Sequence, residues 1–161
     1  MRFTKAAIVL GFVASAALLA QTAGTPGAEY FSSTSLQETA KDLLAKAQAS
    51  PSGTAGVQLS KFPGHNVTYN VRVRSGGAEM HQHFADNFFV VDGEGTEVTG
   101  GKLADMKDTG NGEPRGSSVV GGTSQVLRKG DYLHIPAGTP HQTLMEPGKT
   151  FTFFVLKVEQ P

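Results

Sequence analysis

The sequence contains no cysteine, so neither a disulfide framework nor a cysteine-ligated metal site can stabilise its fold. It also has no excess of charge, because 14 lysine and arginine residues balance 14 aspartate and glutamate residues. A near-neutral chain without a basic patch gives no support for nucleic-acid binding. A glycine-rich nucleotide-binding fingerprint is absent as well. We therefore expect stability to come from a buried core and from any metal that the chain binds.

No apolar run reaches the roughly 20 residues that a membrane-spanning helix requires. The longest run covers residues 6–20, follows Arg2 and Lys5, and precedes a stretch of small residues. A basic start, an apolar run of about 7–15 residues and a small-residue cleavage zone are typical of a secretory signal peptide. We interpret residues 1–23 as this signal. The mature protein should then be exported, periplasmic or extracellular, and free of the membrane.

Only one segment has the periodicity of a helix. Ser35 forms a capping box with Glu38, which predicts a helix that starts at Ser35 and ends at the turn residues 50–53. Its apolar residues recur at helical spacing: Leu36, Ala40, Leu43, Leu44 and Ala47. Because this stripe is narrow and rich in alanine, we expect the helix to pack on the outside of a sheet. Residues 24–54 are thus predicted to be a linker and an N-terminal helix.

The rest of the chain, residues 55–161, alternates apolar and polar residues in short runs. Residues 67–74, VTYNVRVR, show this period of two most clearly. Many of the 20 glycines lie in short clusters between the runs. We count eight or nine short strands, which predicts an all-β sandwich or barrel with one N-terminal helix.

Two histidines, His81 and His83, are separated by one residue. On a strand this spacing directs both imidazoles to one face, about 7 Å apart, where they can share a metal ion. Two polar residues on a solvated strand face would give the same pattern, so the pair alone does not establish a metal site.

A second motif favours the metal site over the solvated strand face. Gly130, Pro136, Gly138 and His141 have the spacing of the second cupin motif, G-x5-P-x-G-x2-H-x3-N, although Met145 replaces its final asparagine. The region around His81 and His83 resembles the first cupin motif, G-x5-H-x-H-x3,4-E-x6-G, with a shifted leading glycine and with Gly93 at its end. The chain therefore resembles the cupin family. The resemblance implies a cupin-type antiparallel β-barrel, also called a double-stranded β-helix or jelly roll.

The glutamate of the first motif has no direct counterpart here. Counting back six residues from Gly93 leads to Asp86, whereas counting forward three residues from His83 leads to Asn87. We prefer Asp86, because this choice keeps the alternation of the following strand and because a carboxylate binds a divalent cation better than an amide.

The resemblance implies that His81, His83, Asp86 and His141 hold one divalent ion: manganese, iron, nickel or zinc. It also implies a small-molecule ligand and a homodimer. We expect a metal-dependent enzyme of the dioxygenase, isomerase or lyase type, with a dioxygenase-like oxidoreductase or an isomerase favoured. Glu79 is a candidate acid or base facing the cavity. The alternative is a non-catalytic module that binds a small ligand or a metal in the cell envelope.

Three further features have weaker interpretations. His134 is either a group behind the metal site or an ordinary half-buried histidine, and His65 is expected to be solvated in a turn. Residues 100–124 form a polar, glycine-rich insert between the two motifs, which either shapes the mouth of the barrel or is a tolerated surface loop.

Overall fold

The computed structural model describes residues 27–161. The predicted signal peptide, residues 1–23, lies outside the described residues. Within the described part, no helix is long and apolar enough to cross a membrane. The prediction of an all-β fold with one N-terminal helix is confirmed.

The helix, α1, spans Ser33–Ala49 and begins earlier than the capping box indicated. Ser32 caps it instead, because its extended backbone lets its side chain accept a hydrogen bond from the backbone N–H of Ser35. As predicted, α1 packs on the outer face of a sheet. Its buried residues, Leu43 and Ala47, form an apolar cluster there with Tyr69 and Val71.

Eleven strands follow the helix, and several of them contain only two residues. In chain order they are β1 (Thr54–Phe62), β2 (His65–Arg72), β3 (Ala78–Glu79), β4 (Phe84–Thr99), β5 (Lys102–Leu103), β6 (Arg115–Gly116), β7 (Val119–Val120), β8 (Thr123–Arg128), β9 (Tyr132–Ile135), β10 (His141–Leu144) and β11 (Phe151–Glu159). Nine of them form one antiparallel sheet in the order β1-β2-β11-β4-β10-β3-β6, with β8 and β9 also paired to β4. Strands β5 and β7 form a separate small pair.

Strand β4 joins the two halves of the curled sheet. Its first part, up to Gly93, pairs with β9 and β11, and its last part pairs with β8 and β10. The change of partners occurs at Gly93, whose φ is 74°. A side chain at Gly93 would place its Cβ 2.0 Å from the carbonyl oxygen of Thr150, so only glycine fits this bend.

The inward faces of β4 and β11 build the core of the barrel. Phe151, Phe153 and Val155 alternate along β11 and pack against Phe88 and Val90 of β4. The same alternation carries Asp86 and Lys157 to the inner face, where they are direct cross-strand partners. The barrel interior is therefore apolar over most of these strands and charged at one end.

The segment that follows β3 is not a strand. Residues 80–83 form an irregular connection, whose backbone is hydrogen-bonded to the insert of residues 100–124. The N–H groups of Met80 and Gln82 donate to the carbonyl oxygens of Pro114 and Gly112, at 3.1 and 2.8 Å. The insert therefore covers the end of the barrel at which Asp86 and Lys157 lie.

Candidate metal centre

Two histidines and two carboxylates meet at this end of the barrel. Glu79 ends β3 and lies opposite His141, the first residue of β10, in the antiparallel register. His81 follows β3, and Asp86 enters from the inner face of β4. His81, Asp86 and His141 are each less than 5% exposed, whereas the Glu79 side chain is partly exposed.

The side-chain ends of these residues converge on one point. His141 Nε2 lies 3.5 Å from Glu79 Oε1 and 3.8 Å from Asp86 Oδ2, and His81 Nε2 lies 3.5 Å from Asp86 Oδ2 and 3.9 Å from Glu79 Oε1. Ligand atoms of Glu79, His81 and His141 all lie within 4.8 Å of one another. Glu79, His81 and His141 could therefore hold a metal ion.

The hydrogen bonds behind the imidazoles suit this role. His141 Nδ1 lies 3.0 Å from the carbonyl oxygen of Thr139, and His81 Nδ1 lies 2.6 Å from Glu113 Oε2. Because both partners are acceptors, each Nδ1 carries the proton and each Nε2 keeps its lone pair toward the centre. His141 Nε2 is buried and has no hydrogen-bond partner among the described residues, as expected of an atom that binds a metal.

One cation already lies within this group. Lys157 Nζ is 2.6 Å from His81 Nε2, 3.1 Å from Asp86 Oδ1 and 3.3 Å from Asp86 Oδ2. The Lys157 side chain is 26% exposed, so part of it reaches the solvent.

The two carboxylates are held in the ionised form. Burial raises the pKa of Glu79, but the His141 imidazole, 3.5 Å away, and the charge of Arg115 outweigh burial and lower that pKa to about 2. Burial likewise raises the pKa of Asp86, but the neighbouring His81 imidazole and the charge of Lys157 outweigh burial and lower that pKa. Burial lowers the pKa of His141, but Glu79 raises it by more, so the pKa of His141 lies above its usual value.

A further acid, Glu97, is fully buried on β4 deeper in the polar region. Thr143 Oγ1 donates to its Oε2 at 2.8 Å, and its Oε1 has no partner among the described residues. Burial raises the pKa of Glu97 to about 7, although the nearby charge of His141 opposes this effect. Glu97 thus differs from Glu79 and Asp86, since about half of its carboxyl groups are protonated at neutral pH.

The structure does not bring His83 to the centre. His83 is exposed, and its ring lies against Gly112 of the insert. The expectation that His81 and His83 share a face required a strand, and residues 80–83 are not one.

The sequence contains a signal that places Glu79 in the motif. If Glu79-x-His81 takes the position of H-x-H, four residues separate His81 from Asp86 and six separate Asp86 from Gly93. Both counts then lead to Asp86, and the disagreement between Asp86 and Asn87 disappears.

Asn87 and His134 lie on the other face of the sheet. The Asn87 side chain donates to the carbonyl oxygen of Leu156, and its Oδ1 is 2.7 Å from Tyr132 Oη and 2.9 Å from His134 Nδ1. His134 is exposed, so it does not support the metal centre from behind. His65 is also exposed and stacks on Phe62, as the turn prediction indicated.

The insert contributes two side chains that sequence reasoning did not single out. Glu113 contacts His81 Nδ1, and Arg115 forms ion pairs with both Glu79 and Glu113. Of the two alternatives for the insert, these contacts favour a segment that shapes the barrel mouth over a tolerated surface loop. No motif indicated these residues, because their approach depends on the path of a long irregular segment.

Comparison with solved structures identifies the architecture. An oxalate oxidase in complex with glycolate matches with a TM-score of 0.50 and 20% identity, over 70% of this chain and 54% of that chain. A Cupin 2 conserved barrel domain protein from Salinispora arenicola matches over 69% of this chain and 82% of its own, with 16% identity and a TM-score of 0.47. The fold is that of a cupin.

The polyketide cyclase from Streptomyces resistomycificus is a further neighbour, with 21% identity and a TM-score of 0.47 over 67% of this chain and 68% of that chain. The chain spans about half the length of the oxalate oxidase that it matches. No family model and no curated protein matches the sequence.

Proposed function

We propose that this cupin binds one divalent metal ion through Glu79, His81, Asp86 and His141 and acts as a metal-dependent enzyme on a small organic molecule. The observation that carries the proposal is the convergence of two buried imidazole Nε2 atoms with the Glu79 and Asp86 carboxylates. Manganese, iron, nickel and zinc all suit histidine and carboxylate ligands, and iron and manganese suit this mixture best.

The donor set favours an oxidoreductase of the dioxygenase type. Many non-haem iron oxygenases use two histidines and one carboxylate and keep other coordination positions open, and this site offers the same donor types with one carboxylate more. A metal bound here would supply Lewis-acid or redox chemistry to a molecule in an open position. The partial exposure of Glu79 and Lys157 opens this side of the centre to solvent.

The surrounding residues have defined roles in this proposal. Glu113 and the carbonyl of Thr139 fix the tautomers of His81 and His141, so that both Nε2 atoms are free to coordinate. Arg115 forms an ion pair with Glu79 and, after His141, helps to lower the pKa of that carboxyl. The apolar cluster of β4 and β11 closes the interior behind the centre and excludes water there.

Elemental analysis of the untagged protein, purified without added metal, tests the proposal. We expect about one equivalent of metal per chain, lost in the double variant His81→Ala, His141→Ala. The single variant His134→Ala is the control, because His134 lies on the outer face of the sheet. Full metal content in the double variant would refute the site.

A second pair of variants tests the ligand assignment. Glu79→Ala should weaken metal binding by at least roughly tenfold, since loss of a residue that binds the ion directly should cost more than the 10–100-fold that loss of a residue supporting a ligand costs. His83→Ala should leave the affinity unchanged, because His83 contacts the insert rather than the centre. The reverse result would restore His83 as a ligand and remove Glu79.

Export and dimer formation belong to the same proposal and rest on the sequence alone. Sequencing the N-terminus of the protein recovered from the native host tests the signal, with cleavage near residue 23 expected. Light scattering in solution tests the homodimer.

A further inference from the structure

Lys157 interrupts an apolar row. The inward positions of β11 are Phe151, Phe153 and Val155, all at most 6% exposed, and Lys157 is the next residue in the same alternation. A lysine on the inner face of a barrel loses hydration unless anionic groups surround it. Here Asp86, its direct cross-strand partner, supplies that charge.

The ammonium group of Lys157 contacts the same atoms that the proposed metal requires. It lies 2.6 Å from His81 Nε2 and 3.1 Å from Asp86 Oδ1. An ammonium group has donors and no acceptor, so His81 Nε2 must accept from it through its lone pair. An imidazole whose Nδ1 donates to Glu113 has only this one lone pair. His81 can therefore bind either Lys157 or a metal ion, but not both.

The charges at the centre also make Lys157 and a metal ion alternatives to each other. The centre holds two ionised carboxylates, and Lys157 compensates part of that charge in the absence of a divalent ion. When an ion binds, the ammonium group would lie within a few ångströms of a second positive centre, in surroundings of reduced dielectric constant. Because Lys157 has a long, flexible side chain at the mouth of the barrel, it can leave toward solvent.

We propose that Lys157 is an internal counter-cation that competes with the metal, so that a divalent ion enters this centre by displacing the Lys157 side chain from His81 and Asp86. This inference rests on the proposed metal site and deepens it. In this proposal Lys157 lowers the metal affinity of the site and stabilises the metal-free protein.

Calorimetric titration of EDTA-treated protein with Zn²⁺ tests the inference. Wild type is compared with Lys157→Met and with Lys157→Gln, a second variant that keeps a polar end group in case the first does not fold. Lys149→Met is the matched control, because Lys149 forms a similar ion pair with Glu94, at 3.1 Å, on the surface. Melting temperatures are measured with and without Zn²⁺ for each protein.

Loss of the competitor should raise Zn²⁺ affinity by roughly tenfold or more. It should also lower the melting temperature of the metal-free protein and enlarge the increase that Zn²⁺ produces. Lys149→Met should show neither change. Measurable binding in a Lys157 variant and none in wild type would support the inference equally.

Two other outcomes would overturn this inference, and only the second would also overturn the proposed metal function. If wild type binds Zn²⁺ and both Lys157 variants bind it with equal or lower affinity, Lys157 is not a competitor and the metal site stands. If neither wild type nor any variant binds Zn²⁺, Mn²⁺ or Fe²⁺, both this inference and the proposed metal function fail.

Discussion

The two ends of the β4–β11 pair have opposite chemistry although they share the same strands. At one end Phe88, Val90, Phe151 and Phe153 form an apolar cluster, and two residues before Phe88 the same inner face carries Asp86 opposite Lys157. The alternation of the strands is identical in both regions, so the backbone does not distinguish them. The difference shows that one end of these strands stabilises the barrel and the other end carries the charged side chains of the candidate site.

The largest expected effect concerns the apolar end. Phe153→Ala should lower the free energy of unfolding by about 3–5 kcal/mol, because it removes a buried ring that stacks on Phe88 and Phe151. Urea denaturation of the metal-free protein measures this loss. Phe89→Ala is the control, since Phe89 lies on the same strand pair but is 45% exposed, and it should lose much less. Equal losses would mean that the apolar cluster is not the main source of stability.

A smaller change in the free energy of unfolding, of the order of 3 kcal/mol at most, is expected from Glu97→Gln. The folded-state pKa of Glu97, about 7, lies above its ordinary value of 4.5, so the native protein holds the proton more tightly than the unfolded chain. The stabilising contribution of Glu97 is therefore complete below about pH 4.5 and is lost as the pH rises through 7.

The glutamine variant carries a neutral amide at every pH and lacks this dependence. Relative to wild type it should gain stability between pH 5 and pH 8, which urea denaturation at both pH values measures in metal-free protein. A constant difference between the two proteins across this range would show that the Glu97 carboxyl is not held in its protonated form.

The smallest expected effect concerns the Asp86–Lys157 pair. Asp86→Asn should lower the stability of the metal-free protein by about 1–3 kcal/mol, less than for a fully buried pair because Lys157 is 26% exposed. Removing Lys157 as well should recover part of the loss. The double variant Asp86→Asn, Lys157→Met completes a double-mutant cycle, and strictly additive losses would show that the two side chains are not coupled.

The barrel was predictable from the sequence because its elements depend on local patterns. The period of two from residue 55 onward, the glycine turns and the single helical stripe each follow from short-range rules. The second motif was equally accessible, since Gly130, Pro136 and Gly138 set the turn before His141.

The candidate metal centre was less predictable, because the structure does not bring together the two histidines that the first motif indicated. His81 and His83 form a conspicuous pair, but residues 80–83 lose their strand geometry where their backbone is hydrogen-bonded to the insert. Glu79 takes the place nearest to His141 because β3 ends there, and only the spacing to Asp86 indicated it. Lys157 was not predicted, since a single lysine at the end of an apolar strand resembles an ordinary solvent-facing end.

The insert has a consequence for how such a protein can diversify. Most of the proposed ligands are fixed to the barrel or to its immediate connection, whereas Glu113 and Arg115, which touch His81 and Glu79, belong to residues 100–124. A change of length or sequence in that one segment would alter the surroundings of two ligands and leave the core and the strand-borne ligands in place. Evolution can therefore change the surroundings of this centre through mutations in a single surface segment. Such mutations would cost less stability than mutations in the barrel itself.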